Sequence, residues 1–164
     1  MDHTILKNFR PLSNFQFVSK LTEKAVAKQI TEHMSTHGLF LSLQSAYRKY
    51  HSTQTALLKV KNNLLLNKNN GHVTILVLLD LSAAFNTVDH DLLLQKLQSV
   101  IDIQGTALSW FQSYLGKRSQ QISINGTLSR KFYLQCGIPQ GSCLSPLLFT
   151  IYLSKLFEIL RHDL

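Results

Sequence analysis

Apolar residues recur near helical spacing over residues 18–36. Val18, Leu21, Ala25, Ile30 and Met34 form a stripe, and Lys20, Glu23, Lys24 and Lys28 are expected to face outward. Gly38 is placed to end this helix. Residues 41–50 read as irregular. A second helix is expected after Ser52, a good N-cap, with Leu57, Val60, Leu64 and Leu65 as its apolar stripe. Residues 8–14 and the polar stretch 67–71 read as a loop and a turn. The pattern changes at Val73–Leu79, a continuous, partly β-branched apolar run that predicts a central strand covered on both faces. Helical segments are expected at 82–85, leading into 92–100, and at 106–115. The segments 121–124 and 130–135 flank Asn125-Gly126 and predict a β-hairpin. Residues 144–160 predict a last helix that tolerates Pro146 in its first turn. No repeat, low-complexity stretch or long linker interrupts the chain.

The length, 164 residues, suits one domain, and the 45% apolar content is enough for a core. Lys and Arg number 17 against 9 Asp and Glu, a formal net charge of +8. Such a balance favours an anionic partner, either nucleic acid or an acidic membrane surface, though it also suits a merely basic soluble domain. Before residue 71 the only acids are Asp2, Glu23 and Glu32, so the positive charge concentrates there, as it would on a surface tracking a phosphate backbone. Cys136 and Cys143 form neither a C-x-x-C pair nor a disulfide framework, which suits an intracellular protein, nuclear or cytoplasmic. No signal pattern opens the chain, and no apolar run approaches the ~18 residues of a membrane span, so a secreted or membrane protein is not expected.

Two segments are candidates for chemistry. Asp80 ends the apolar run, where a buried carboxylate needs a partner or a metal, unless it simply caps the next helix. Gly137-Ile138-Pro139-Gln140-Gly141-Ser142 places two glycines around Pro-Gln, which lets backbone approach a ligand closely. Ser142 there can cap the helix that follows, although an ordinary loop-to-helix junction would read the same way. His33 and His37 sit four apart without a Glu or a third ligand, which favours a solvated helix face over a metal site. Asp89-His90-Asp91 reads as a helix start.

Taken together, the apolar run ending Asp80-Leu81-Ser82-Ala83-Ala84-Phe85 and the later Gly-Ile-Pro-Gln-Gly-Ser segment resemble motifs A and B of reverse transcriptases, in the non-LTR (LINE-type) version. Asn8-Phe9-Arg10-Pro11-Leu12-Ser13 and Gln44-Ser45-Ala46-Tyr47-Arg48 are similar to that family's upstream segments, and the matches keep the family's order. The resemblance implies an α+β fold: the fingers and first part of the palm of a right-hand polymerase, with helices packed on an incomplete ferredoxin-like palm sheet. Residues 1–71 would be fingers-like and 72–164 palm, with thumb and endonuclease absent from these residues.

The same resemblance implies RNA-directed DNA polymerisation by two Mg²⁺ ions on an RNA template, a DNA primer and a deoxynucleoside triphosphate. Asp80 would be the catalytic metal ligand, joined by the Leu81 carbonyl. Arg48 would pair with triphosphate oxygens, and the Ala83 and Ala84 backbone would lie beside them. Phe85 would be the steric gate against a ribose 2′-hydroxyl, unless it is a core aromatic. Gln140 and Gly141 would sit against the nascent base pair and template.

The sequence also departs from the family. No Asp-Asp pair of motif C occurs, and Asp163 lacks its context. One carboxylate does not make a two-ion site, and without the motif C hairpin the strand near Leu76–Leu79 is expected to leave unpaired edges and apolar surface. Asn86 stands where an Asp is usual, and Ala46 where a Gly is. The expectation is therefore a reverse transcriptase fragment that does not polymerise alone. A non-catalytic nucleic-acid-binding module and an open reading frame without a stable product are the alternatives.

Overall fold

The structure is a computed structural model that describes residues 13–41, 44–81 and 83–156. It has helices α1 (Phe17–Thr36), α2 (Thr53–Asn69), α3 (His90–Ser99), α4 (Gly105–Leu115) and α5 (Ser145–Tyr152), and a short 3-10 turn at Ala84–Asn86. Four two-residue strands are β1 (Ser119–Gln120), β2 (Ser123–Ile124), β3 (Thr127–Leu128) and β4 (Phe132–Tyr133). The chain is a mixed α and β fold that divides into two units. The described residues of one are 13–39 and 83–156, and those of the other are 40–41 and 44–81.

In the first unit, α3 packs on α4 and α5, and the 3-10 turn packs on α5. Every fully buried apolar side chain among the described residues belongs to this unit. They include Ile30 and Met34 of α1, Leu93 and Leu97 of α3, Phe111 and Leu115 of α4, and Leu147, Leu148 and Ile151 of α5. Each such side chain contributes roughly 1.5–3 kcal/mol on leaving water, so this core is what holds the unit together. Beyond Met34, α1 closes with Gly38 N–H bonded to Ser35 O and Leu39 N–H to Met34 O, the paired bonds of a Schellman ending. Asp89 caps α3 through the Leu92 N–H at 2.8 Å, as the helix-start reading expects.

The α1 stripe is only half right. Ile30 and Met34 are buried, but Val18, Leu21 and Ala25 are exposed, and Glu23, expected on the outside, is buried. Glu23 shares the face of Ile30 and Met34, seven and eleven positions on, and its burial is compensated by two distant donors described below.

The hairpin forms as nested pairs. Antiparallel β2 and β3 meet across Asn125-Gly126, with Ile124 opposite Thr127, and β1 and β4 pair outside them, with Gln120 opposite Phe132. Asn125 and Gly126 both take positive φ (49° and 81°), as a two-residue type I′ turn requires.

The second unit buries only Gln44 among its described residues. Its helix α2 starts with a reciprocal capping box, in which Ser52 Oγ accepts from Thr55 N–H and Thr55 Oγ1 accepts from Ser52 N–H. The expected stripe on α2 is open to solvent at Leu57, Val60 and Leu65. The central strand expected at Val73–Leu79 is not formed. The segment has no regular secondary structure and is unpaired among the described residues, and Val73 is 95% and Leu78 84% exposed. A strand needs a neighbour to take its N–H and C=O groups. The described residues offer it none, and the sheets present are only the two small pairs at 119–133.

The last helix runs to Tyr152, is interrupted by a turn at Leu153 and is helical again over 154–156, and positions 157–160 of the expected span lie outside the described residues. So do 8–12 of the upstream motif, and Ser82.

Candidate active site

The ends of the two sequence segments that carry the resemblance meet in the first unit. Ala83 takes a left-handed backbone (φ 54°) and turns the chain into the 3-10 turn that carries Ala84, Phe85 and Asn86. Against it lies the loop 136–141. Ile138 N–H donates to Phe85 O at 2.7 Å, Gly137 N–H to Val88 O at 2.7 Å, and Cys136 Sγ to Asn86 O at 3.4 Å. Asp89 and Cys136 add an antiparallel bridge. The Gly137 carbonyl accepts twice, from His90 Nε2 at 2.8 Å and Arg118 Nη1 at 3.2 Å. Gln140 Nε2 reaches Asn86 Oδ1 at 3.2 Å, and Ser13 N–H donates to Gln140 O at 3.0 Å. Two turns far apart in sequence thus form one hydrogen-bonded body.

Gly137 is the closest point. Its φ is +87°, and a Cβ there would come within 3.0–3.1 Å of Asn86 O, Asn86 Cα and Phe85 O. Such crowding by backbone atoms admits only glycine without a shift of the chain. Phe85 is half-buried and meets Phe149 of α5 edge-on, with centroids 5.2 Å apart.

A buried polar network holds the loop's far end. Glu23 Oε2 accepts the Cys143 N–H at 3.0 Å, and Glu23 Oε1 accepts the Tyr114 hydroxyl at 2.8 Å. The tyrosine has one proton to give, so Ser142 donates to it in return across 3.0 Å. Ser142 Oγ then accepts from Leu144 N–H (3.0 Å) and Ser145 N–H (3.2 Å), which caps the entry to α5 as the sequence suggests. Every polar atom of Ser142's hydroxyl is used.

Burial pushes the Tyr114 phenol well above its ordinary value of 10.0; the Ser142 hydrogen bond pulls it back and the Glu23 carboxylate adds to the rise. Burial likewise pulls the Arg118 guanidinium below its ordinary value, while Tyr114 and Glu23 hold it up. The sign for stability follows from the raised phenol. Below about pH 10 both folded and unfolded chains keep the proton. Above it the unfolded chain ionises first, so stability falls as pH rises toward the folded value. Thermal melts between pH 9 and 11 should show this decline in the parent chain and a shallower one in Tyr114→Phe.

Asp80, Leu81 and Arg48 lie in the second unit. Asp80 is exposed at the end of the apolar run, not buried as expected, because the strand that would bury it is not formed. Leu81 is exposed beside it. Arg48 is half-buried. Its Nη1 donates to Leu41 O at 3.2 Å, and its guanidinium carbon lies 5.4 Å from the Phe40 ring centroid. Gly141 follows Gln140 in the first unit and is exposed.

Among the described residues no three His, Cys, Asp or Glu side chains cluster as a metal site. His33 Nε2 donates to Ile101 O at 2.7 Å and His37 Nδ1 to His33 O at 2.9 Å, so each ring nitrogen named is spent on a carbonyl. Cys136 and Cys143 are free thiols.

Residues 2–164 match the family described as reverse transcriptase (RNA-dependent DNA polymerase). The chain belongs to the reverse transcriptase family. Its relatives include the probable RNA-directed DNA polymerase from transposon BS of Drosophila melanogaster, 26% identical over 150 residues, 92% of this chain and 16% of that protein. The RNA-directed DNA polymerase from mobile element jockey of the same species is 26% identical over 153 residues, 93% of this chain and 16% of that protein. A Pol polyprotein from type-1 retrotransposable element R2 of Popillia japonica is 25% identical over 150 residues, 91% of this chain and 20% of that protein. The non-LTR resemblance read from the motifs agrees with these matches. The chain spans 16–20% of the length of these relatives. No described helix is long and apolar enough to cross a membrane.

Sequence reasoning missed four residues of the site: Glu23, Tyr114, Arg118 and Asn86 in its role as Gln140's partner. The only local signal was the spacing of Glu23 with Ile30 and Met34.

Proposed function

We propose that the chain is the fingers and first palm portion of an RNA-directed DNA polymerase, with residues 1–71 fingers-like and 72–164 palm. Its parent activity is template-directed DNA synthesis on RNA from a DNA primer and deoxynucleoside triphosphates. The observation that carries this reading is the joining of the Ala83–Asn86 turn to the Gly137–Gln140 loop, because a polymerase must hold its nucleotide-side and template-side backbone in fixed register. In this reading Phe85 is the steric gate, the Ala83–Ala84 backbone faces the triphosphate, Gln140 and Gly141 face the base pair, and Arg48 engages the triphosphate.

Asp80 and the Leu81 carbonyl would offer Mg²⁺ the oxygen ligands it takes. The donor set is too small for two ions: one carboxylate stands at the end of the run, and no three described His, Cys, Asp or Glu side chains cluster to hold a metal. These 164 residues by themselves are expected to give no Mg²⁺-dependent primer extension on an RNA template, and extension by the purified chain would contradict the reading. The +8 charge supports a second reading, a binding module without catalysis.

A further inference from the structure

The second unit leaves its most apolar segment open. Residues 73–79 are all exposed, and their aliphatic side chains range from 54% exposure at Leu76 to 95% at Val73. Among the described residues their backbone N–H and C=O groups have no backbone partner. We propose that this segment pairs with the same segment of a second copy of the chain, antiparallel about a twofold axis at Leu76. The proposal goes beyond the polymerase reading and does not depend on it.

The occupant follows from the segment and its two ends. An open backbone edge is satisfied by another strand. No charge, Gly or Pro interrupts 73–79, and its side chains are β-branched or large and aliphatic, the composition that pairs with itself. Antiparallel pairing about Leu76 sets Ile75 opposite Val77 of the second copy, and Val73 opposite Leu79, apolar cross-strand pairs of the favourable kind. His72 then stands opposite Asp80 at both ends, where an imidazole N–H can donate to the carboxylate. Both side chains are exposed. A parallel, in-register pair would instead set Asp80 beside Asp80 at about 4.8 Å between strands, a like-charge contact. A slip to either side takes Asp80 away from His72 and shortens the apolar overlap. Charge complementarity at the ends thus selects the antiparallel register.

The start of the segment is already fixed. His72 N–H donates to Asn67 O at 2.9 Å, and Asn67 Nδ2 donates to Thr74 Oγ1 at 3.1 Å. These bonds hold the run against the end of α2 and lower the ordering cost that pairing must meet. The pairing does not complete a metal site. In this register the two Asp80 carboxylates stand at opposite ends of the paired strands, about 27 Å apart along them. Association is therefore expected to leave the chain without primer extension.

The test is analytical ultracentrifugation of the purified 164-residue chain, free of nucleic acid, over about 1–100 µM and in about 0.5 M salt to screen its net charge of +8. The parent should associate as its concentration rises, and amides 73–79 should gain protection from hydrogen exchange as it does. Leu76→Lys sets two ammonium groups face to face and should raise the dissociation constant about a hundredfold. Leu76→Glu should do the same, and an equimolar mixture of the two variants should associate again. Leu76 is an exposed side chain, so both monomers should keep the circular dichroism of the parent. Leu65→Lys, on the exposed face of α2, should leave association unchanged. A parent that stays monomeric across this range would overturn the proposal, as would association that survives Leu76→Lys. Loss of association in Leu65→Lys alone would overturn it in favour of the α2 face. Preferential pairing of the parent with Asp80→Lys would overturn the antiparallel register in favour of a parallel one.

Discussion

Gly137→Ala is expected to destabilise the first unit by about 3 kcal/mol. Roughly 1–2 kcal/mol comes from forcing a side chain into a left-handed backbone. The rest comes from the Cβ, which meets Asn86 O, Asn86 Cα and Phe85 O at 3.0–3.1 Å. Those atoms have little room to give. Phe85 O is bonded to Ile138 N–H and Asn86 O accepts from Cys136 Sγ, so moving them breaks the bonds that join the two turns. Gly126→Ala is the matched control. Its φ is +81° but nothing lies within 4 Å of the added methyl, so only the backbone cost, about 1–2 kcal/mol, applies. Denaturant unfolding of the two variants should differ by the steric part. Equal losses would mean that the Gly137 contact is not tight in solution.

Glu23→Ala is expected to cost a similar amount, about 3 kcal/mol, or a fall in melting temperature on the order of 10 °C. The carboxylate accepts two hydrogen bonds inside the core, from Tyr114 and from the Cys143 backbone. Its removal leaves both donors buried without a partner and opens a cavity. Glu23→Gln is the gentler change. One amide oxygen can still accept, but the amide nitrogen then faces a donor, so a loss of about 1–2 kcal/mol is expected. Because Ser142 joins the same cluster and caps α5, Glu23→Ala and Ser142→Ala should be non-additive. Additive losses in a double-mutant cycle would show that the two side chains act independently.

Most helices were legible because their signals are local. Ser52 and Asp89 announce helix starts, Gly38 ends α1, and Asn125-Gly126 dictates a tight hairpin, each by chemistry within a few residues. The covered strand read at 73–79 does not form, since an apolar run reports a preference for burial and not the presence of a pairing partner; of the sequence signals only the lack of an Asp-Asp pair pointed to unpaired edges and exposed apolar surface there. Glu23 was misplaced for a related reason. Its partners lie 91 and 120 residues away, and a carboxylate on a helix reads as surface until they are known. At the candidate site, the two turns could be recognised separately from their residues. That Phe85, Asn86, Gly137 and Gln140 interlock is a tertiary fact, and so is the recruitment of Arg118, which nothing near it in sequence announces.

The most direct test of the account is the salt dependence of binding between this chain and a labelled RNA–DNA hybrid carrying a single-stranded RNA overhang. A reverse transcriptase portion with a formal charge of +8 should bind it with an affinity that falls linearly on a log–log plot against salt, with a slope of about 0.7–0.9 per phosphate neutralised. Undetectable binding at low salt, or binding indifferent to salt, would contradict the account.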